Sequence, residues 1–414
     1  MSTVDVIPGL AAAELAARSR FVEQEFGATW EAADDELEQA ILPLPRFLSA
    51  RLGGELAGTA FSFLLPLHLP GSTRSGSDAP VTEMSAAVSG VAVRADLRRR
   101  GVLSALMERL LADAHERGEQ LACLWASEAA IYGRFGFGMA AARIAVTVPR
   151  GAPLQRVPAY PGRLSLVPLA DALPGLRRVH QACARPGFLA RDDAFWALRL
   201  HDPVHRRKGA APMRCLVAGD PADPDGYALH SLAGEWAPNG PNGTLHVREV
   251  LARSPGAHAA LWTWLTTTDL TSTVCAEHLP VDDALLTLLA NPRSVGATWG
   301  DGLHVRLVDL PAALCARGWA APVDVVLEVA DRSCRWNAGR WRLTAGPDGA
   351  TCARTAADPD LSCDVADLGA VHLGGTSLQQ LAAAGRVSEW TPGAVRSLSV
   401  AARGEVAPWS PMVF

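Results

Sequence analysis

VSGVAVRADLRRRGVLSALMERLLADAHERGEQLACLWASEAAIYGRFGFG, residues 88–138, decides the fold. Val88, Val91 and Val93 form a short β-branched run of the kind found in buried strands. A basic turn, Asp96 to Gly101, follows and opens a helix. Val102, Leu103, Leu106, Leu110 and Ala114 recur at three- and four-residue spacing, so one stripe of that helix faces a core. Gly118 stops it. Residues 121–125 are the next buried strand. Ser127 can cap a short helix, but Ala130 stands three residues on, so no capping box completes it.

Three arginines and a glycine at a helix N-terminus suit an anion. The first backbone N–H groups there have no internal partner, and the helix dipole favours negative charge. Gly101 lets a phosphate approach the backbone, and Arg98, Arg99 and Arg100 add charge, as a pyrophosphate cradle requires. Taken alone, RRRG is equally what a solvated basic turn looks like.

Arg98-x-x-Gly101-x-Leu103 resembles the acetyl-CoA signature of the GNAT acyltransferases, with Leu103 where a small residue is usual. The WASEAAIYGRFGFG segment resembles more narrowly the enhanced intracellular survival (Eis) family of multi-acetylating aminoglycoside N-acetyltransferases within GNAT. The resemblance implies an α/β (α+β) chain. Two tandem GNAT-type domains, the second degenerate and without its own acetyl-CoA site, are followed by a sterol-carrier-protein-like C-terminal domain. Boundaries fall at 1–150, 151–303 and 304–414. It also implies acetyl-CoA as co-substrate and a homohexamer.

The chain has 414 residues, enough for two or three domains. A formal net charge of −5 argues against phosphate-driven nucleic-acid binding and would suit a cationic substrate. The eight cysteines show neither CxxC nor zinc spacing, so no metal is expected, and a reduced, cytoplasmic protein is the simpler reading. Neither a signal peptide nor an apolar run of membrane-spanning length is evident, so no membrane partner is expected.

Outward from the central stretch, residues 1–50 read as helical and 51–65 as a hairpin turning at Gly53-Gly54. Residues 68–80 read as a loop. Residues 141–148 are expected to close the first domain, and the Pro-rich segment 149–161 to link it to the second. A second α/β pattern follows, with helices at 171–182, 192–200 and 257–265 and strands at 213–217, 226–231 and 245–251. Residues 302–310 open a third region. It continues as a helix to Arg317 and a meander of strands at 324–329, 332–337 and 340–344.

Acetyl transfer to an amine requires a held thioester, a base for the ammonium and an acid for the departing thiolate. Tyr132 suits the last role, since its pKa near 10 matches a thiolate leaving group. The alternative is a tyrosine packed on Phe135. The family resemblance assigns the base to the terminal carboxylate of a C-terminal Phe, here Phe414. The preceding family acid is replaced by Val413. Backbone groups of Ser89, Val91 and Val93 would hold pantetheine as an added strand does. Val102, Leu103 and Ser104 complete the cradle, and Ser127 resembles a family residue beside the pantetheine arm. Trp30, Glu31, Asp34 and Trp196 are candidates for holding a cationic acceptor, by charge or by aromatic face. Each could equally be a solvated helix residue or a core tryptophan.

These observations lead us to expect a small-molecule amine acceptor, aminoglycoside-like or polyamine-like. Two alternatives stay open: acylation of a protein lysine or a biosynthetic intermediate, and a non-enzymatic lipid- or partner-binding scaffold led by the C-terminal domain.

Overall fold

The computed structural model describes residues 4–28, 31, 34, 37, 40–72 and 80–414. The chain forms two compact units. One comprises residues 1–141, 186–198 and 301–414, the other residues 142–185 and 199–300.

The first unit is built on a seven-stranded sheet. Its first five strands are β1 (Val4–Pro8), β2 (Phe47–Leu52), β3 (Glu55–Ser72), β4 (Pro80–Val93) and β5 (Leu121–Trp125). They lie side by side in chain order, and Leu303–Leu307 and Gly138–Met139 complete the sheet. The VDVIP strand corrects the all-helical expectation for residues 1–50, since it pairs antiparallel with β2. The Gly53-Gly54 hairpin forms as expected. The expected 68–80 loop is shorter, because β3 runs to Ser72 and β4 starts at Pro80. Residues 73–79 lie outside the described residues.

Alternation along each strand divides the core into two layers. Ala122 and Leu124 of β5 join Leu106, Met107 and Leu110 of the Val102–Glu116 helix on one face. Leu121 and Cys123 join a larger cluster on the other face, shared with the C-terminal region. That region is a five-stranded sheet of Val323–Ala330, Gly339–Gly346, Gly349–Arg354, Leu361–Asp364 and Val387–Glu389, with four short helices. Residues 332–337, expected as a strand, form turns instead. The contact with the first sheet is close: a Cβ on Gly138 would stand 1.9 Å from the Ala366 carbonyl oxygen. Arg317, 2% exposed, donates to the carbonyls of Val371, His372 and Ala402, at the C-terminal ends of two helices. The negative ends of those dipoles take the place of a carboxylate.

Three further elements depart from expectation. Leu303–Leu307, expected to open the third region, pairs with β5 and with Gly138–Met139 in the first sheet. Ala142–Pro149, expected to close the first domain, pairs with Thr271–Pro280 in the second unit. The segment around Trp196, expected in the middle domain, belongs to the first unit. Its cause is an open edge. β2 pairs with β3 only as far as Phe47↔Phe61. Beyond that point the backbone of residues 187–190 takes up His68 and Pro66, and Phe195 packs edge-on against Phe63, ring centroids 5.0 Å apart.

The second unit repeats the same plan. Gly243–Ala252 and Thr271–Pro280 run parallel, with the Pro255–Thr267 helix as crossover, in another seven-stranded sheet. Its helix N-terminus is closed. Ser254 accepts from the Ala257 N–H, Pro255 follows, and a Cβ on Gly256 would stand 2.6 Å from the Ala159 carbonyl oxygen.

Candidate active site

β4 and β5 run parallel only over Ser85↔Leu121 to Val88↔Leu124, while β4 continues to Val93. The strands part there, and a groove of about 760 Å³ opens between the end of β4, the N-terminus of the Val102–Glu116 helix and the 127–134 turn. A register shift opposite Thr59–Phe61 marks a bulge in β4, and the Thr59 hydroxyl donates to the Gly90 carbonyl. Such bulges re-aim backbone groups beside active sites.

Gly101 stands before the helix at φ +87°, with no side-chain cap on the helix N-terminus. A residue with a Cβ adopts that conformation only under strain. Arg99, at φ 62°, does so two positions earlier. The first amides of the helix are therefore bare and face the groove with Arg98 and Arg99. Glu25 and Phe26 close the other wall. The Glu25 carboxylate, 10% exposed, lies 3.7 Å from the Arg98 guanidinium.

Tyr132 ends a short helix, Ala129–Tyr132, and its side chain lines the same groove at 5% exposure. Its ring meets Phe137 edge-on at 6.2 Å, in a buried cluster that also holds Phe135. Burial raises its pKa, partly offset by a hydrogen bond from Ser127, with the nearby Glu128 also raising it. Ser127 is not an N-cap: Glu128 holds that position without a side-chain cap bond, and Ser127 turns toward Tyr132 instead.

Of the sequence candidates, the groove gathers Val91, Val93, Arg98, Arg99, Gly101, Val102, Leu103, Ser104, Ser127 and Tyr132. Ser89 sits opposite Phe61 in the sheet and Arg100 is exposed; neither lines the groove. Trp30 lies outside the described residues. Glu31 is half-buried and Asp34 buried. Trp196 is 2% exposed, with the Arg191 guanidinium stacked 5.0 Å from its ring. Among the described residues no group of three or more His, Cys, Asp or Glu has metal-binding geometry. No described helix is long and apolar enough to cross a membrane.

The C-terminal tail is fixed within the first unit. Trp409, Ser410 and Met412 are buried, and the Phe414 ring meets Phe63 edge-on at 6.5 Å. Val413 points outward at 51% exposure. The Trp125 indole N–H donates to the Met412 carbonyl at 2.7 Å. Sequence reasoning missed Glu25 and Trp125. Glu25 lies on a helix that resembled any solvated one, and nothing local to Trp125 signals a partner 287 residues away.

Parted parallel strands with a bare, arginine-flanked helix N-terminus define a GNAT-type acyltransferase. Comparison with known proteins agrees and narrows the class. Acetyltransferase (GNAT) domain families match residues 9–140 and 187–307, and a sterol carrier protein domain family matches 310–411. An uncharacterized N-acetyltransferase of Streptomyces avermitilis is 42% identical over 94% of both chains. N-acetyltransferase Eis of Mycobacterium tuberculosis is 32% identical over 86% of this chain and 85% of its own. The crystal structure of Eis1 from Mycobacterium abscessus superposes with a TM-score of 0.83 at 31% identity, covering both chains fully. The chain belongs to the Eis family of N-acetyltransferases. It is an acetyl-CoA-dependent enzyme with two GNAT domains and a sterol-carrier-like domain.

Proposed function

We propose that this enzyme transfers acetyl directly from acetyl-CoA to a primary amine of an aminoglycoside-like or polyamine-like acceptor. The observation that carries the proposal is a buried phenol, beside Ser127, facing the same groove as the bare helix N-terminus. The first amides of the helix, with Arg98 and Arg99, hold the diphosphate. The β4 backbone from Val91 to Val93 holds pantetheine.

The amine nitrogen attacks the thioester carbonyl, the C–N bond forms and the C–S bond breaks. Tyr132 gives its proton to the departing thiolate, and the Phe414 carboxylate takes the proton shed by the amine. Burial keeps Tyr132 protonated at neutral pH, so it starts as the acid. Each group contributes roughly 10²–10⁴-fold.

We assign selection of the cationic acceptor to Trp30, Glu31, Asp34 and Trp196. The outward Val413 contributes no charge, so acceptors with fewer amines are favoured over highly charged ones. The C-terminal domain acts as scaffold. One void inside it, between Leu314, Trp319 and Leu398, measures about 10 Å³, room for a single water. Family resemblance leads us to expect a homohexamer, and eight cysteines with no disulfide among them suit the reducing cytoplasm.

Steady-state kinetics with one accepted amine test the chemistry. Tyr132→Phe lowers turnover while acetyl-CoA affinity persists. Residues appended after Phe414 lower it comparably. Wild-type turnover in the extended chain refutes the carboxylate's role. Light scattering tests the hexamer, and a monomer at micromolar concentration refutes it.

A further inference from the structure

Only two residues separate the Met412 carbonyl from the Phe414 carboxylate, a span of at most about 7 Å. Fixing that carbonyl confines the carboxylate to within that reach. Met412 O accepts from Trp125 Nε1 at 2.7 Å and from Ser410 Oγ at 3.1 Å. Pro411 O accepts from Arg191 Nη2 at 3.3 Å. Upstream, the Trp409 N–H donates to the Pro186 carbonyl and its ring meets Phe188. Downstream, Val413 is exposed and anchors nothing, which leaves the Phe414 ring against Phe63.

Trp125 is the last residue of β5, two positions before Ser127, and Ser127 lines the groove together with Tyr132. One strand end therefore holds the tail and leads into the wall that carries the phenol. We infer that Trp125 is a positioning residue whose indole N–H, with Arg191 on the next carbonyl, latches the C-terminal tail and sets the Phe414 carboxylate in register with Tyr132. The latch rests on the proposal that Phe414 supplies the base.

Trp125→Phe keeps a ring and removes the donor. A misplacement of about 1 Å can cost on the order of 10²-fold, so kcat is expected to fall roughly 10- to 100-fold with acetyl-CoA affinity unchanged. A purely structural role predicts the same loss in any background. A latch predicts non-additivity: in a chain ending at Val413, Trp125→Phe costs nothing further. Carboxypeptidase supplies a readout independent of catalysis, and Phe414 is released faster from Trp125→Phe than from wild type. Arg191→Lys serves as the second variant should Trp125→Phe fail to fold, with the same expectations. Equal losses in both backgrounds, or an unchanged release rate, overturn the latch. If removing Phe414 leaves kcat intact while release is still accelerated, the base assignment falls and the latch stands.

Discussion

Replacing Asp331 with alanine should loosen the join between the C-terminal region and the first sheet, and the structure gives its size. Arg306, on the Leu303–Leu307 strand, is 0% exposed, and the Asp331 side chain 1%. Two N–H···O bonds of 2.8 and 2.7 Å run from Arg306 Nη2 to the two carboxylate oxygens. Asp331 also accepts from the Cys334 N–H at 2.9 Å and from Asn337 Nδ2 at 3.0 Å. Removing it strands a guanidinium that keeps only its bond to the Leu307 carbonyl. Breaking a buried pair on one side costs about 3–5 kcal/mol, and the orphaned Cys334 N–H adds about 1 kcal/mol, while Asn337 Nδ2 keeps the Leu307 and Val308 carbonyls. A loss of roughly 4–6 kcal/mol is expected, a large fraction of the stability of an ordinary domain. Urea unfolding followed by tryptophan fluorescence reads it as a fall in midpoint at constant slope. Asp331→Asn, which keeps the shape and one acceptor, should lose about half as much. The double variant Arg306→Met/Asp331→Leu should recover most of the loss, because no charge is left buried. A loss below about 1 kcal/mol for Asp331→Ala would refute the reasoning.

Three other outcomes follow from the same structure. Gly101→Asp places a negative charge and a Cβ in a left-handed position at the bare helix end; calorimetry should show acetyl-CoA binding abolished, with circular dichroism unchanged. Glu25→Gln removes the carboxylate beside Arg98, and acetyl-CoA affinity should rise by about 1.5- to 5-fold, the worth of a partly exposed pair; lower affinity would make Glu25 a contributor to binding. Burial pushes His230 and His278 down to about 4 and His372 to about 3. The unfolded chain binds these protons near pH 6.5 and the folded chain does not, so stability is full above that pH. It falls by about 1.4 kcal/mol per pH unit per histidine as pH drops toward 4. Thermal unfolding at pH 7.5 and 5 measures it, and His372→Leu should reduce the slope.

Local chemistry carries much of this fold. The period of Leu106, Leu110 and Ala114, the Gly53-Gly54 turn and the glycine before Val102 specify their elements within a few residues, so the cofactor side of the groove is legible in residues 88–138. Even Ser127 and Tyr132, five positions apart, belong to one turn.

What the tertiary structure alone decides is partnership across distance. Leu303–Leu307 reads as a plain buried strand wherever it sits, and only the free edge of β5 and the buried pair of Arg306 with Asp331 place it in the first sheet. Residues 187–190 pair with β3 because β2 stops short at Phe47. Trp125 finds Met412 for the same reason. A strand's alternation specifies which face is apolar, but the identity of what covers that face depends on which distant surfaces bury the most area and leave no polar group unpaired. No window of sequence contains that comparison.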